Sequence, residues 1–156
     1  MKTLKFIVSG ILILFNVSCD KDARFELEET DYLIFGHFYG ECIGEGCVET
    51  FKLTDEKLFE DTYDNYSGED FNFIELGKDK FEEVKNLAQL FPDQLLNEEE
   101  STFGCPDCAD GGGLFIQYSD NGKIRSWRID QVKENVPGYL HDFMDAVNEK
   151  IKMIND

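Results

Sequence analysis

The sequence predicts an α+β domain: an antiparallel sheet built from hairpins, with two helices packed on one face, in the order strands, helix, strands, helix. Three observations carry this. Residues 32–53 and 113–130 hold apolar and aromatic runs punctuated by turn residues. Phe81, Val84, Leu87, Ala88 and Phe91 recur at helical spacing. Leu140, Phe143, Met144, Val147, Ile151 and Ile154 repeat that spacing near the C-terminus.

The elements follow in order. YLIFGHFY, from Tyr32, is a continuous apolar run suited to a strand buried on both faces, with Gly36 marking a bulge or a close backbone approach. GECIGEGC is a glycine-punctuated loop, and residues 48–53 return as the second strand of a hairpin. Residues 57–63 offer a third strand, 64–70 a turn, and 71–76 a short extended segment. A helix over 80–91 is stopped by Pro92. Residues 93–112 carry no regular pattern. LFIQY (114–118), the turn SDNG and KIRSWRID (123–130) make the clearest hairpin in the chain. Asn135 and Pro137 then open a last helix over 137–153.

Upstream of this domain the texture differs. Lys2 and Lys5 make a short basic start, FIVSGILILF (6–15) an apolar stretch, and Ser18 a small residue just before Cys19. A run this short, basic in front and small behind, reads as an export signal and not a spanning helix. Asn16-Val17-Ser18-Cys19 resembles a bacterial lipobox, with Asn16 standing where Leu is usual. That resemblance implies a signal peptide over 1–18 and a Cys19 that is acylated, palmitate-type, as the mature N-terminus. An ordinary cleaved signal with an incidental Cys19 is the competing reading. Residues 19–31 follow as the lipidated cysteine and an acidic tether, and 32–156 as one domain.

Cleavage leaves 138 of the 156 residues and removes two lysines and no acid, taking the net charge from −18 to about −20. So acidic a chain is repelled by nucleic acid and by anionic headgroups, which excludes nucleic-acid binding as an expectation. Acidity alone can signal disorder, but an aromatic content of 13% argues for a packed core.

Setting Cys19 aside, the cysteines are an even set: Cys42 and Cys47 as C-x4-C, Cys105 and Cys108 as C-x2-C. Four sulfurs on two glycine-rich loops suit a tetrahedral zinc, and the second pair has zinc-knuckle spacing. They equally allow two disulfides in three pairings. The compartment arbitrates. Exported thiols are oxidised, so two disulfides are expected ahead of zinc, and no cofactor is assigned. Local pairing closes rings worth about 2 kcal/mol, whereas a cross-pair such as Cys42 to Cys105 is worth about 4 kcal/mol and staples the two loops together. Cys105-Pro106-Asp107-Cys108 also has the spacing of a redox dithiol. That activity needs the first cysteine at a helix N-terminus, and here the motif runs into Ala109-Asp110-Gly111-Gly112-Gly113 and a strand.

The remaining constellations are weaker. His37 is expected in the core and His141 at the border of the last helix's apolar face. Asp61, Asp64, Asn65, Glu69 and Asp70 raise calcium but miss the EF-hand register, so a solvated acidic loop is expected. Asp107 and Asp110 beside three glycines read as a flexible connector before an anion nest or a cation site. Tyr32, Tyr39, Tyr118 and Trp127 read as core.

The cysteine hairpin, FEEVKNLAQLF, and WRID followed by VPGYLHDFMDAVNEKI resemble families of uncharacterised bacterial lipoproteins of the Bacteroidetes kind, over roughly residues 32–154. The C-x4-C spacing departs from a tighter C-x3-C in one such group. The resemblance implies a cysteine-loop α+β lipoprotein domain and no activity. The function expected is therefore a membrane-tethered extracytoplasmic lipoprotein, a non-catalytic binding or envelope-associated module for a protein or small-molecule ligand. Its place is the cell envelope, lipid-anchored at the outer membrane, on its periplasmic or surface face, ahead of the inner membrane. The alternative is a metal-binding or thiol-redox protein using Cys42, Cys47, Cys105 and Cys108. The reading leans against an enzyme and assigns no catalytic residue.

Overall fold

The computed structural model describes residues 27–28 and 30–156. The expected signal segment, Cys19 and the tether as far as residue 26 lie outside the described residues. The packed part begins upstream of Tyr32: Leu27 packs against the main core, and Asp31, read as the end of the tether, is buried.

Seven strands make one mixed sheet: β1 (Tyr32–Phe38), β2 (Val48–Leu53), β3 (Leu58–Asp61), β4 (Phe73–Glu75), β5 (Thr102–Phe103), β6 (Gly113–Asp120) and β7 (Lys123–Asp130). Their spatial order is β4-β3-β2-β1-β6-β7-β5. Strand β1 lies between β2 and β6, with Phe35 opposite Phe51 on one side and Ile116 on the other. Among the described residues two α-helices complete the fold, α1 (Lys78–Val84) and α2 (His141–Asn155).

Two expectations are corrected. The sheet is not wholly antiparallel: β5 runs parallel to β7, with Thr102 opposite Arg128 and Phe103 opposite Ile129. A parallel neighbour needs a long crossover, and residues 104–122, which carry β6, supply it. Phe103 drives the pairing by burying its ring in the core. The helix expected over 80–91 is divided. It is α-helical to Val84 and tightens into a 3-10 segment over Lys85–Leu90, which still turns Leu87 and Ala88 inward before Pro92.

Alternation along the strands sorts the apolar residues into two clusters. Leu33 and Phe35 of β1, Phe51 and Leu53 of β2, Leu114 and Ile116 of β6, and Trp127 and Ile129 of β7 belong to the larger one. It also holds Phe81 and Val84 of α1, and Phe143, Met144, Val147, Ile151 and Ile154 of α2. Each large side chain withdrawn there contributes about 1.5–3 kcal/mol of transfer free energy. Leu140, Phe143, Val147 and Trp127, the four expected in the core, are all within 1% of full burial. Lys150 lies buried among them; its ammonium leaves the apolar face to donate to the Glu83 carbonyl at 2.7 Å, joining α2 to the end of α1. Residues of the other parity make the smaller cluster: Ile34, Phe38, Val48 and Phe115, with Tyr32, Phe71 and Phe73 packed on it.

Candidate functional site

The four expected site cysteines pair locally, Cys42 with Cys47 and Cys105 with Cys108, with Cα atoms 5.5 and 5.4 Å apart. In the chain-entropy view each short ring stabilises by about 2 kcal/mol. Cys47 is buried, whereas Cys42, Cys105 and Cys108 are exposed. Among the described residues no group of three His, Cys, Asp or Glu side chains is arranged to hold a metal ion. The turn beside the C-P-D-C motif is a three-residue 3-10 segment, Cys108–Asp110, so Cys105 does not stand at a helix N-terminus.

A cross-disulfide would have joined the two cysteine loops; a carboxylate joins them instead. Asp107, between Cys105 and Cys108, sits at φ 63. Its Oδ2 accepts the Gly40 N–H and the Tyr66 hydroxyl, both at 2.8 Å, and its Oδ1 accepts the Gly112 N–H at 3.0 Å. Three segments far apart in sequence therefore meet on one side chain: the end of β1, residues 62–72, and residues 105–112. The Tyr66 hydroxyl, the Gly40 and Gly112 N–H groups and the nearby Arg128 charge hold the Asp107 carboxyl below its ordinary range, against a smaller effect of burial. The same hydrogen bond raises the Tyr66 phenol, so the pair is carboxylate and neutral phenol at neutral pH.

Residues 62–72 form a strap over the smaller cluster. Asp61, buried, closes its ends by accepting the Asp64 N–H at 3.1 Å and the Asn72 N–H at 2.6 Å. The innermost carboxylate of the acidic group Asp61, Asp64, Asn65, Glu69 and Asp70 is thus occupied by backbone N–H groups. Arg128 of β7 fastens the middle, donating from Nη1 to the Tyr66 and Ser67 carbonyls at 3.0 and 3.4 Å. Its guanidinium lies 3.7 Å from the Phe38 ring centroid and 5.0 Å from that of Tyr66, a stacked cation worth about 0.5–2 kcal/mol. Gly68, at φ 72, lets the strap approach Phe115 so closely that a Cβ would stand 2.7 Å from its ring. Phe71 packs on Phe73 and Phe115, with ring centroids 5.1 and 6.0 Å apart.

Beside the strap lies a cleft of about 340 Å³, walled by Ser67, Gly68, Glu69, Thr102, Gln117, Ser126 and Arg128, with the Phe115 ring in its floor. Hydroxyls, an amide, one guanidinium and the Glu69 carboxylate around an aromatic ring suit hydrogen bonding to a small polar molecule. Neither histidine lines it. His37 Nε2 lies 3.2 Å from Glu49 Oε2 and 3.0 Å from the Gly46 carbonyl, while His141 Nε2 lies 2.9 Å from the Lys133 carbonyl. His37 is only partly buried, at the strand end beside the first disulfide and not in the core. Tyr118 and Trp127 are core as expected; Tyr32 and Tyr39 are half-buried, Tyr32 beneath Lys52 Nζ at 4.4 Å.

Sequence reasoning missed Arg128, Tyr66 and Phe38, and took Asp107 for part of a connector. The alternation in KIRSWRID carried a signal, since it puts Ser126, Arg128 and Asp130 on the face opposite Trp127 and Ile129. No protein-family model matches the chain, and no curated protein matches it significantly.

Proposed function

We propose that the chain is a membrane-tethered extracytoplasmic lipoprotein, held in the cell envelope through an acylated Cys19, whose domain is a non-catalytic binding module. In this reading the sheet is built from hairpins, both helices occupy one face, and the strap and cleft occupy the other. The observation that carries it is the pairing of all four downstream cysteines into disulfides. Paired sulfurs are neither metal ligands nor nucleophiles, and disulfides belong to the oxidising compartment that the basic and apolar start of the chain points to. The cleft beside Arg128 is the proposed ligand site, taking a small polar molecule.

The test is made on protein exported by its native route. Wild type is expected in the detergent phase with no titratable thiols after denaturation, and Cys19→Ala is expected to leave the membrane fraction or remain an uncleaved precursor. Normal cleavage with unchanged detergent partitioning of Cys19→Ala would overturn the anchor. Four thiols with one zinc per chain would replace the binding module with a metal site.

A further inference from the structure

We infer that the Cys105–Cys108 disulfide is a redox-sensitive latch on the strap: reduction by an external dithiol frees Asp107, and the middle of the strap loosens beside the cleft. The regulatory consequence rests on reading that cleft as the ligand site; the latch itself rests on geometry.

Four observations combine. Both Cys105 and Cys108 are exposed, whereas the other disulfide has buried Cys47, so an incoming thiolate has freer access to the second bridge. The ring it closes holds Asp107 at φ 63°, and Ala109 at 53° and Asp110 at 58° follow directly after it. L-residues disfavour that region, and alanine has no polar side chain with which to compensate, so the disulfide adds to the hydrogen bonds Asp107 N–H to Gly112 O and Cys108 N–H to Cys105 O in holding this path. Asp107 is the residue at which the loop grips both neighbouring segments, through the Gly40 N–H and the Tyr66 hydroxyl. Finally, the upstream end is anchored independently, because the Cys105 N–H donates to Asp130 at 2.9 Å. Release is therefore confined to 106–112 and to what Asp107 holds: the strap loses the tie at the Tyr66 hydroxyl, keeps its ends closed by Asp61 and its carbonyls held by Arg128, and β6 and β7 stay paired.

The exchange balances with a dithiol as the reductant. One thiolate attacks an exposed sulfur, forming a mixed disulfide and expelling the other cysteine as thiolate. The reductant's second thiolate then displaces the first cysteine and closes its own disulfide. Two electrons pass to the protein, and each released cysteine takes up a proton at neutral pH. The protein is the substrate of this exchange and needs no activated cysteine of its own.

The experiment is amide hydrogen exchange on the full exported chain, oxidised and after dithiothreitol, with thiol titration to show which bridge has opened. A Cys42→Ser/Cys47→Ser variant isolates the second bridge, and Cys105→Ser/Cys108→Ser reproduces the opened state without reductant. Expected are at least tenfold faster exchange over 65–68 and 105–112 in the reduced and serine forms, and unchanged protection in β6 and β7. Undiminished strap protection with Cys105 and Cys108 titrating as thiols would overturn the latch, as would strap loosening only together with loss of β6–β7 protection. The readout needs no ligand. A strap that loosens on reduction supports the latch even if the cleft proves to bind nothing, so the two readings fail separately.

Discussion

The carboxylate of Asp31 accepts the backbone N–H of Asn121 at 2.8 Å, tying the chain entering β1 to the turn between β6 and β7. Asp31 is 2% exposed, so its removal leaves a donor at a tight turn without its partner. Asp31→Ala is expected to lower stability by about 1–2 kcal/mol. Urea unfolding measures it; an unchanged midpoint would show that the turn holds itself.

Phe143 is the aromatic anchor of α2, meeting Phe91 edge to face with centroids 5.6 Å apart. Truncating so buried a ring leaves a cavity that close packing fills only in part. Phe143→Ala is expected to cost about 3–5 kcal/mol in equilibrium unfolding. A loss under 1 kcal/mol would mean that α2 is not essential to the core.

Gly68→Ala tests how closely the strap must lie. A methyl there meets the Phe115 ring in a backbone conformation that alanine disfavours. The loss expected is about 1–2 kcal/mol from the backbone alone, with faster amide exchange over 62–72. Unchanged exchange and stability would argue that the strap rests on the sheet loosely.

The pH dependence has a definite sign. Asp107 and Asp130 are both held below the ordinary carboxylate range. For Asp130 burial pushes upward, but the Val132 N–H, the Asn135 amide and the Cys105 N–H outweigh it. A depressed folded pKa means the stabilisation is fully present above the unfolded value, about 4, and is lost as pH falls through the folded value. The stability gap between wild type and Asp107→Asn should therefore be widest near neutral pH and close below about pH 4. Urea midpoints at pH 7, 5 and 3 test this; a gap as wide at pH 3 as at pH 7 would contradict it.

The elements that were legible in the sequence are those made by neighbours. The hairpin of β6 and β7 follows from Asn121-Gly122, which take φ 49 and φ 79 as a tight hairpin turn demands. Residues 48–53 return as β2 over the expected span, and α2 follows from one apolar stripe. The division of the helix near Val84 was not legible, because the same apolar spacing serves an α-turn and a 3-10 turn over six residues.

The site was the least legible part. Local periodicity, turn chemistry and cysteine content specify the strands, the last helix and the even set of thiols, because each depends on residues a few positions apart. Tertiary structure alone decides that β5 runs parallel at the edge, that the cysteines pair within loops, and that Asp107 joins Gly40 and Tyr66 across 67 and 41 residues. Those contacts have no sequence period. They exist because the folded sheet brings loop ends within hydrogen-bonding reach, where a carboxylate fills the orphan donors that meet there.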